Sequence, residues 1–375
     1  MPKLKETTPF YAPGGTKSIE TAHSVPIKRM HNGAPILTPI PNSGWENKVV
    51  LNPAAVLVTD QLEIEDLISA WRLNENERSR IDRTQGLVVM LYRAQGDFDP
   101  NKGVAPSSAG LAVFTPQLEL IWRNPKPVIT PNKQFHNLGV EDGRCTKIGN
   151  TYYFFYTGYY YHQASRSNKV QVCLASSTDF LTWVLHGPIP GDINNSDNKN
   201  AVLLPQKVHG KWVILHRPMQ GEHPKTMHWA TSESLFGPWK TNGMFMASYR
   251  YQEFSESWIG SGGPPIPIGD NQFLTIYHQG HYDYEYGREY DLAATILDFS
   301  KPGICNVKKR IEPLMRPTGD HEKTGDSQLG VDNVLFVCAN YLLGDTLVLP
   351  YAGADSRIFG AQIDFNKLLS ALTNN

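Results

Sequence analysis

The chain has 375 residues, room for one large β domain or two average ones, and its formal net charge is −1. With cations and anions in balance and no basic cluster, a partner held by bulk electrostatics is excluded, which removes nucleic acid and anionic membranes. The 17 Tyr, 15 Phe and 8 Trp stand beside 31 Gly and 27 Pro, the profile of a turn-rich β protein whose clefts offer flat faces, for which sugars are one natural ligand.

The N-terminal MPKLKETTPFYAPGG has two Lys with no apolar segment after them, and no apolar run approaches a membrane span. The expectation is a soluble, unexported, cytoplasmic protein. Residues 1–40 are rich in Pro and Thr without a sustained period, so they read as an arm, and residues 41–375 as the catalytic domain. A first strand is expected over 45–58, punctuated by Asn52-Pro53. Over 61–82, Leu62, Ile64, Leu67, Ile68 and Trp71 recur at helical spacing, predicting one inserted surface helix. Cys145, Cys173, Cys305 and Cys338 are far apart with no CxxC, which argues for reduced core thiols rather than a zinc site or disulfide framework. No His, Asp and Glu cluster shows metal-ligand spacing, so no metal is expected.

From residue 87 onward a pattern repeats. LVVMLYR (87–93), YYFFYTG (152–158), WVILHRP (212–218), FLTIYHQG (273–280) and TLVLPYAGAD (346–355) are apolar strands that end in polar clusters. Each is followed by a strand rich in small residues. Short strands at this spacing without intervening helices predict an all-β, five-bladed β-propeller, the apolar strands lying innermost and bringing their polar ends to one mouth. Arg93, the GVEDGR turn at 139–144, Arg217, His278 and Asp355 then converge.

Singly, these residues have ordinary roles: Asp142 can accept turn hydrogen bonds, Arg217 can brace carbonyls, His278 can be a core histidine, and Lys199 can be solvated. Together, Asp142 and Asp355 with surrounding rings suggest glycoside chemistry, and the excess of cations suggests phosphate as the nucleophile.

The motifs YRA (92–94), GVEDGR (139–144), NKNAVLLP (198–205), HRP (216–218), IGSGGPP (259–265), IYHQG (276–280) and YAGAD (351–355) resemble, in order and register, those of glycoside hydrolase family 130, the mannoside phosphorylases and related β-mannosidases. The resemblance runs over about 45–369 and implies a five-bladed propeller. It implies that Asp142 is the general acid, its proton passing through a mannosyl hydroxyl, and that Lys199, Arg217 and His278 hold inorganic phosphate, with no other cofactor. Asp355 is implied to hold the mannosyl unit, with Arg93, Glu141, Arg144, Asn200 and Tyr290 as further sugar contacts. Two positions depart from the family: Gly143 stands where Pro usually follows the acid, and Trp258 stands where phosphorylases carry a Lys. With Glu253 and Glu256 close by, hydrolysis with Glu256 as general base is the alternative, and a non-catalytic sugar-binding propeller a second. Retention of Arg217 favours phosphorolysis of a small β-mannoside to α-mannose 1-phosphate. Linkage, acceptor sugar and a possible homo-oligomer stay open.

Overall fold

The computed structural model describes residues 19–20, 25–248, 256–283 and 287–373. Five blades, each built on four main strands, are arranged as a β-propeller. Blade one comprises Val49–Val58, Leu87–Gln95, Ser107–Phe114 and Leu120–Arg123; blade two comprises Gly139–Ile148, Thr151–His162, Ser167–Ser177 and Val184–Pro188. Blade three comprises Asn198–Leu203, Trp212–Pro218, Met227–Ser232 and Lys240–Met246, and the main strands of blade four are Glu256–Ser261, Gln272–Asp283, Gly287–Asp298 and Asn306–Met315. Blade five runs Leu335–Val337, Thr346–Gly353 and Arg357–Asp364, and its outer strand is Ile27–Arg29 from the other end of the chain.

That last pairing closes the ring. Arg29 fastens it with Nε and Nη2 donating to the two carboxylate oxygens of Glu322 at 2.7 and 2.8 Å, and the buried Glu322 also accepts from the Tyr351 hydroxyl at 2.7 Å. Two parallel charge-assisted bonds in a sheltered site hold geometry far better than an exposed pair.

The apolar runs are continuous because each blade is buried on both faces. Val89 and Leu91 pack toward Phe154 and Tyr156 of blade two, while the alternate residues Val88 and Met90 pack toward Val348 and Ile358 of blade five. The same alternation fills the other three interfaces, with Phe155 against Ile214, Leu215 against Tyr277, and Ile276 against Leu349. All four cysteines are buried free thiols.

The predicted helix is real but shorter. It spans Gln61–Trp71, capped by Asp60, whose carboxylate accepts from the Glu63 N–H at 2.9 Å, and it ends at Arg72 in the left-handed region. A second short helix, Glu75–Ser79, starts at a capping box on Asn74. Ile64, Leu67, Ile68 and Trp71 are buried, each aliphatic side chain contributing about 1.5–3 kcal/mol, whereas Leu62 is exposed. Trp71 stacks on Trp122 and donates to the Asp179 carbonyl at 2.8 Å, so the insertion ties blade one to blade two. The chain ends in a further helix, Phe365–Thr373, which the sequence pattern did not signal.

The strands expected to be innermost are the second strand of each blade. The innermost strands are Val49–Val58, Gly139–Ile148, Asn198–Leu203, Glu256–Ser261 and Leu335–Val337, which meet across the axis. Their polar residues face the central depression, so they lack the apolar signature by which a buried strand is recognised.

Candidate active site

Three innermost strands share one device. Asn52, Asp142 and Asn200 have φ of 49°, 48° and 55°, and each lies where the pairing register slips, at a β-bulge. Asn and Asp tolerate this left-handed conformation better than other side chains, and a bulge re-aims the residue it contains. Here the bulges send side chains from neighbouring blades into contact: Asn52 Nδ2 donates to Asp142 Oδ1 at 2.6 Å, and Asn200 Nδ2 to His278 Nε2 at 3.0 Å. Gly143 completes the second bulge, since a Cβ there would lie 2.0 Å from the Phe154 ring.

Arg93 gathers the carboxylates. Its Nη2 donates to Glu141 at 2.9 Å, Nη1 to Asp142 at 3.2 Å and Nε to Ser107 Oγ at 2.9 Å. Lys199 Nζ reaches the other Glu141 oxygen at 3.5 Å. Burial works against charge on Asp142, but Arg93, Lys199 and the Asn52 hydrogen bond outweigh it and hold the carboxyl below its usual range. Arg144, expected as a sugar contact, is a brace instead. It is fully buried, and its three nitrogens donate to the carbonyls of Asp142, Ser261 and Gly262 at 2.6, 2.6 and 3.2 Å. It pins the bulge that aims Asp142 and leaves its charge in the wall.

A second group is rich in donors without acceptors. Arg217 pairs in register with Lys199 and is 7% exposed, yet its Nε and Nη1 have no partner among the described residues. Burial lowers its pKa and the neighbouring Arg144 adds to this, against the pull of Tyr290 and Asp142; a guanidinium stays charged nonetheless. His278 is buried, its ring centroid 4.0 Å from that of Phe336. Burial and the two arginines push its pKa well down, so the ring is neutral. With Nε2 accepting from Asn200, the proton sits on Nδ1, which has no partner. Gly260 makes this contact possible, because a Cβ there would lie 2.1 Å from Asn200 Nδ2 and 2.6 Å from His278 Nε2. Tyr290 adjoins, its ring 6.2 Å from His278 and 5.0 Å from Trp258, and burial first raises its phenol to about 12.

Asp355 follows the strand Thr346–Gly353 with φ of 47°, and its Oδ1 has no partner. Burial, then the negative charge of Asp142, raises its pKa to about 7 against the pull of Arg93 and Arg288. Because the folded pKa exceeds the unfolded one, the native state binds the proton more tightly. Stability is therefore lost as pH climbs from about 4 to about 7 and is constant above that. Asp355→Asn is expected to raise the melting temperature at pH 8 but not at pH 4, by at most about 4 kcal/mol of stability. Equal melting shifts at both pH values would show that Asp355 titrates normally.

Arg93, Glu141, Asp142, Lys199, Asn200, Arg217, His278, Tyr290 and Asp355 thus fall in one constellation. Glu256 opens the first strand of blade four, but its side chain, like the whole of Glu253, lies outside the described residues. Sequence reasoning missed Asn52, Ser107, Phe336 and Arg288. Asn52 was legible only as turn punctuation before Pro53.

The family model described as beta-1,4-mannooligosaccharide phosphorylase matches residues 27–374. The chain belongs to glycoside hydrolase family 130. A 1,2-beta-oligomannan phosphorylase from Thermoanaerobacter sp. (strain X514) is 28% identical over 337 residues, 89% of this chain and 96% of that protein. The structure of a beta-1,2-mannobiose phosphorylase from Listeria innocua superimposes with a TM-score of 0.69 at 21% identity, covering 93% of this chain and 99% of that one. Another family 130 structure, from work on members that are glycoside hydrolases targeting beta-1,2 mannosidic linkages in Candida mannan, gives 0.68 at 22% identity over 92% and 95% of the two chains. The protein is therefore a carbohydrate-active enzyme, a glycoside phosphorylase or a related hydrolase.

Proposed function

We propose that this family 130 enzyme cleaves β-mannosides by inverting phosphorolysis, with Asp142 as general acid and with Lys199, Arg217 and His278 holding phosphate. The observation that carries the reading is the buried Arg217, with two unpartnered nitrogens beside the unpartnered N–H of His278. A buried cation with unfilled donors is costly, and a phosphate would supply the acceptors together with negative charge in direct contact. Relatives named as mannoside phosphorylases support the same choice. Hydrolysis would leave those donors facing water, without the anion that they suit.

In the step itself a phosphate oxygen bonds to the anomeric carbon from the face opposite the leaving sugar. The bond from that carbon to the leaving oxygen breaks, and the oxygen takes a proton that originates on Asp142, relayed by a mannosyl hydroxyl. The free enzyme holds Asp142 ionised, so the acid is made on binding: a phosphate anion offsets the cations that depress this carboxyl, and its pKa rises toward the working range. Asp355 holds the mannosyl unit with Arg93, Glu141, Asn200 and Tyr290. We infer a cytoplasmic location, which the four free thiols favour.

The test is product analysis on β-1,2- and β-1,4-mannobiose with and without phosphate. α-Mannose 1-phosphate is expected, at a rate that saturates with phosphate. Free mannose released equally fast in phosphate-free buffer would overturn phosphorolysis and bring Glu256 forward as the base.

A further inference from the structure

Among the buried groups around Arg217, one does not suit a bare anion. Arg217 Nε and Nη1 and His278 Nδ1 are donors without partners among the described residues, and Lys199, paired in register with Arg217, adds a charge beside them. Asn200 Oδ1 is different. It is an acceptor without a partner, on a residue 1% exposed. Because Asn200 Nδ2 is bonded to His278 Nε2 at 3.0 Å, this acceptor and the His278 donor belong to one joined pair. The pair is held from several sides. The Phe336 ring lies on the imidazole with centroids 4.0 Å apart, the Gly260 backbone passes so close that a Cβ would meet both bonded atoms, and Asn200 sits in a bulge with φ of 55°.

An uncharged imidazole has one nitrogen that donates and one that accepts. If the amide is turned over, His278 Nε2 donates to Asn200 Oδ1, and the unfilled groups become an Asn200 N–H and a bare His278 Nδ1. The acceptor changes place but does not vanish. Either way the pair leaves at least one donor and one acceptor unfilled beside the guanidinium of Arg217. Hydrogen phosphate has a P–OH that donates beside oxygens that accept, whereas every sulfate oxygen only accepts. Against this pair, sulfate sets lone pair on lone pair and leaves a buried acceptor unmatched, which is how a site built for a hydroxyl rejects an analogue that lacks it.

We propose that Asn200, joined to His278, accepts the P–OH of hydrogen phosphate, so that the site selects protonated tetrahedral oxyanions, phosphate and arsenate, over sulfate. The proposal rests on the phosphorolysis reading above. Lys199 and Arg217 cannot supply this selectivity, since a cation attracts every oxyanion. The same contact orients the nucleophile: with its P–OH held at Asn200, phosphate has only unprotonated oxygens left to attack the anomeric carbon. Asn200 Nδ2 carries a second hydrogen, which remains for the sugar.

The experiment measures the Kd of phosphate, arsenate and sulfate by calorimetry for the wild type, Asn200→Gly and Asn200→Asp, at equal ionic strength and in mildly alkaline buffer where all three are dianions. In the wild type, arsenate is expected to match phosphate, and sulfate to bind about 10- to 100-fold more weakly, the effect of one buried acceptor left unmatched. Asn200→Gly keeps the left-handed backbone and makes room for water, which can turn to donate to sulfate, so phosphate and sulfate should then bind alike. Asn200→Asp also tolerates that backbone and keeps an acceptor. It should weaken both anions by its charge and leave the preference for phosphate at least as large as in the wild type. Should Asn200→Gly not fold, the Asn200→Asp ratio decides. Sulfate bound by the wild type as tightly as phosphate overturns the proposal, as does selectivity that survives in Asn200→Gly or is lost in Asn200→Asp. Binding of none of the three anions, with mannose released equally fast in phosphate-free buffer, overturns the phosphorolysis reading and this proposal with it.

Discussion

Asp142→Asn is expected to slow mannoside turnover by about 10²–10⁴-fold, the usual contribution of a positioned acid, while the fold is retained. The substitution keeps an oxygen for the two donors that meet at Oδ1, Asn52 and Arg93, and it keeps the main-chain carbonyl that Arg144 braces. What disappears is the ability to carry and release a proton. A second readout separates this from a structural defect. The charge of Asp142 helps to raise Asp355 to about 7, so in the Asn variant the Asp355 titration should move to lower pH. That shift is visible in the pH dependence of sugar binding. Undiminished turnover would remove Asp142 from the chemistry, and an unmoved Asp355 titration would separate the two carboxylates electrostatically.

The residues that the sequence made legible and those it hid differ in how local their cause is. The second strands of the blades announce themselves, because burial on both faces leaves runs such as Leu87–Gln95 almost wholly apolar. The innermost strands do not. Gly139–Ile148 contains Glu141, Asp142 and Arg144, and reads as a turn because its left-handed residue and its glycine belong to a bulge within the strand. The same blindness turned the helix expected over 61–82 into one unit, although Arg72 at φ of 55° and the capping residue Asn74 divide it. Arg144 was read as a pocket cation because two of its three partners are carbonyls more than a hundred residues away, and no local pattern reports them. Convergence of Arg93, Asp142, Lys199, Arg217, His278 and Asp355 was legible once the repeat was seen, since a propeller brings equivalent strand ends to one axis. The contact of Asn52 with Asp142 depended on two bulges at once, and only the folded chain shows it.

Arg217→Ala is expected to raise the KM for phosphate by about 10- to 100-fold, since hydrogen bonds to a charged group contribute about 1.5–3 kcal/mol. The mannoside KM should change little, because the guanidinium lies with His278 and Lys199 rather than with Asp355. Stability should move the other way. In the free enzyme Arg217 is buried, close to Arg144, and without an acceptor for Nε or Nη1, so truncation removes a poorly solvated charge and should leave the melting temperature unchanged or raised. Phosphate then distinguishes the proteins. It should stabilise the wild type by about 2.7 kcal/mol at 100 times its Kd, and at the same concentration the Ala variant far less. A variant whose melting temperature rises with phosphate as steeply as the wild type's, and whose phosphate KM is unchanged, would place the anion elsewhere and leave the orphaned donors of Arg217 without an explanation.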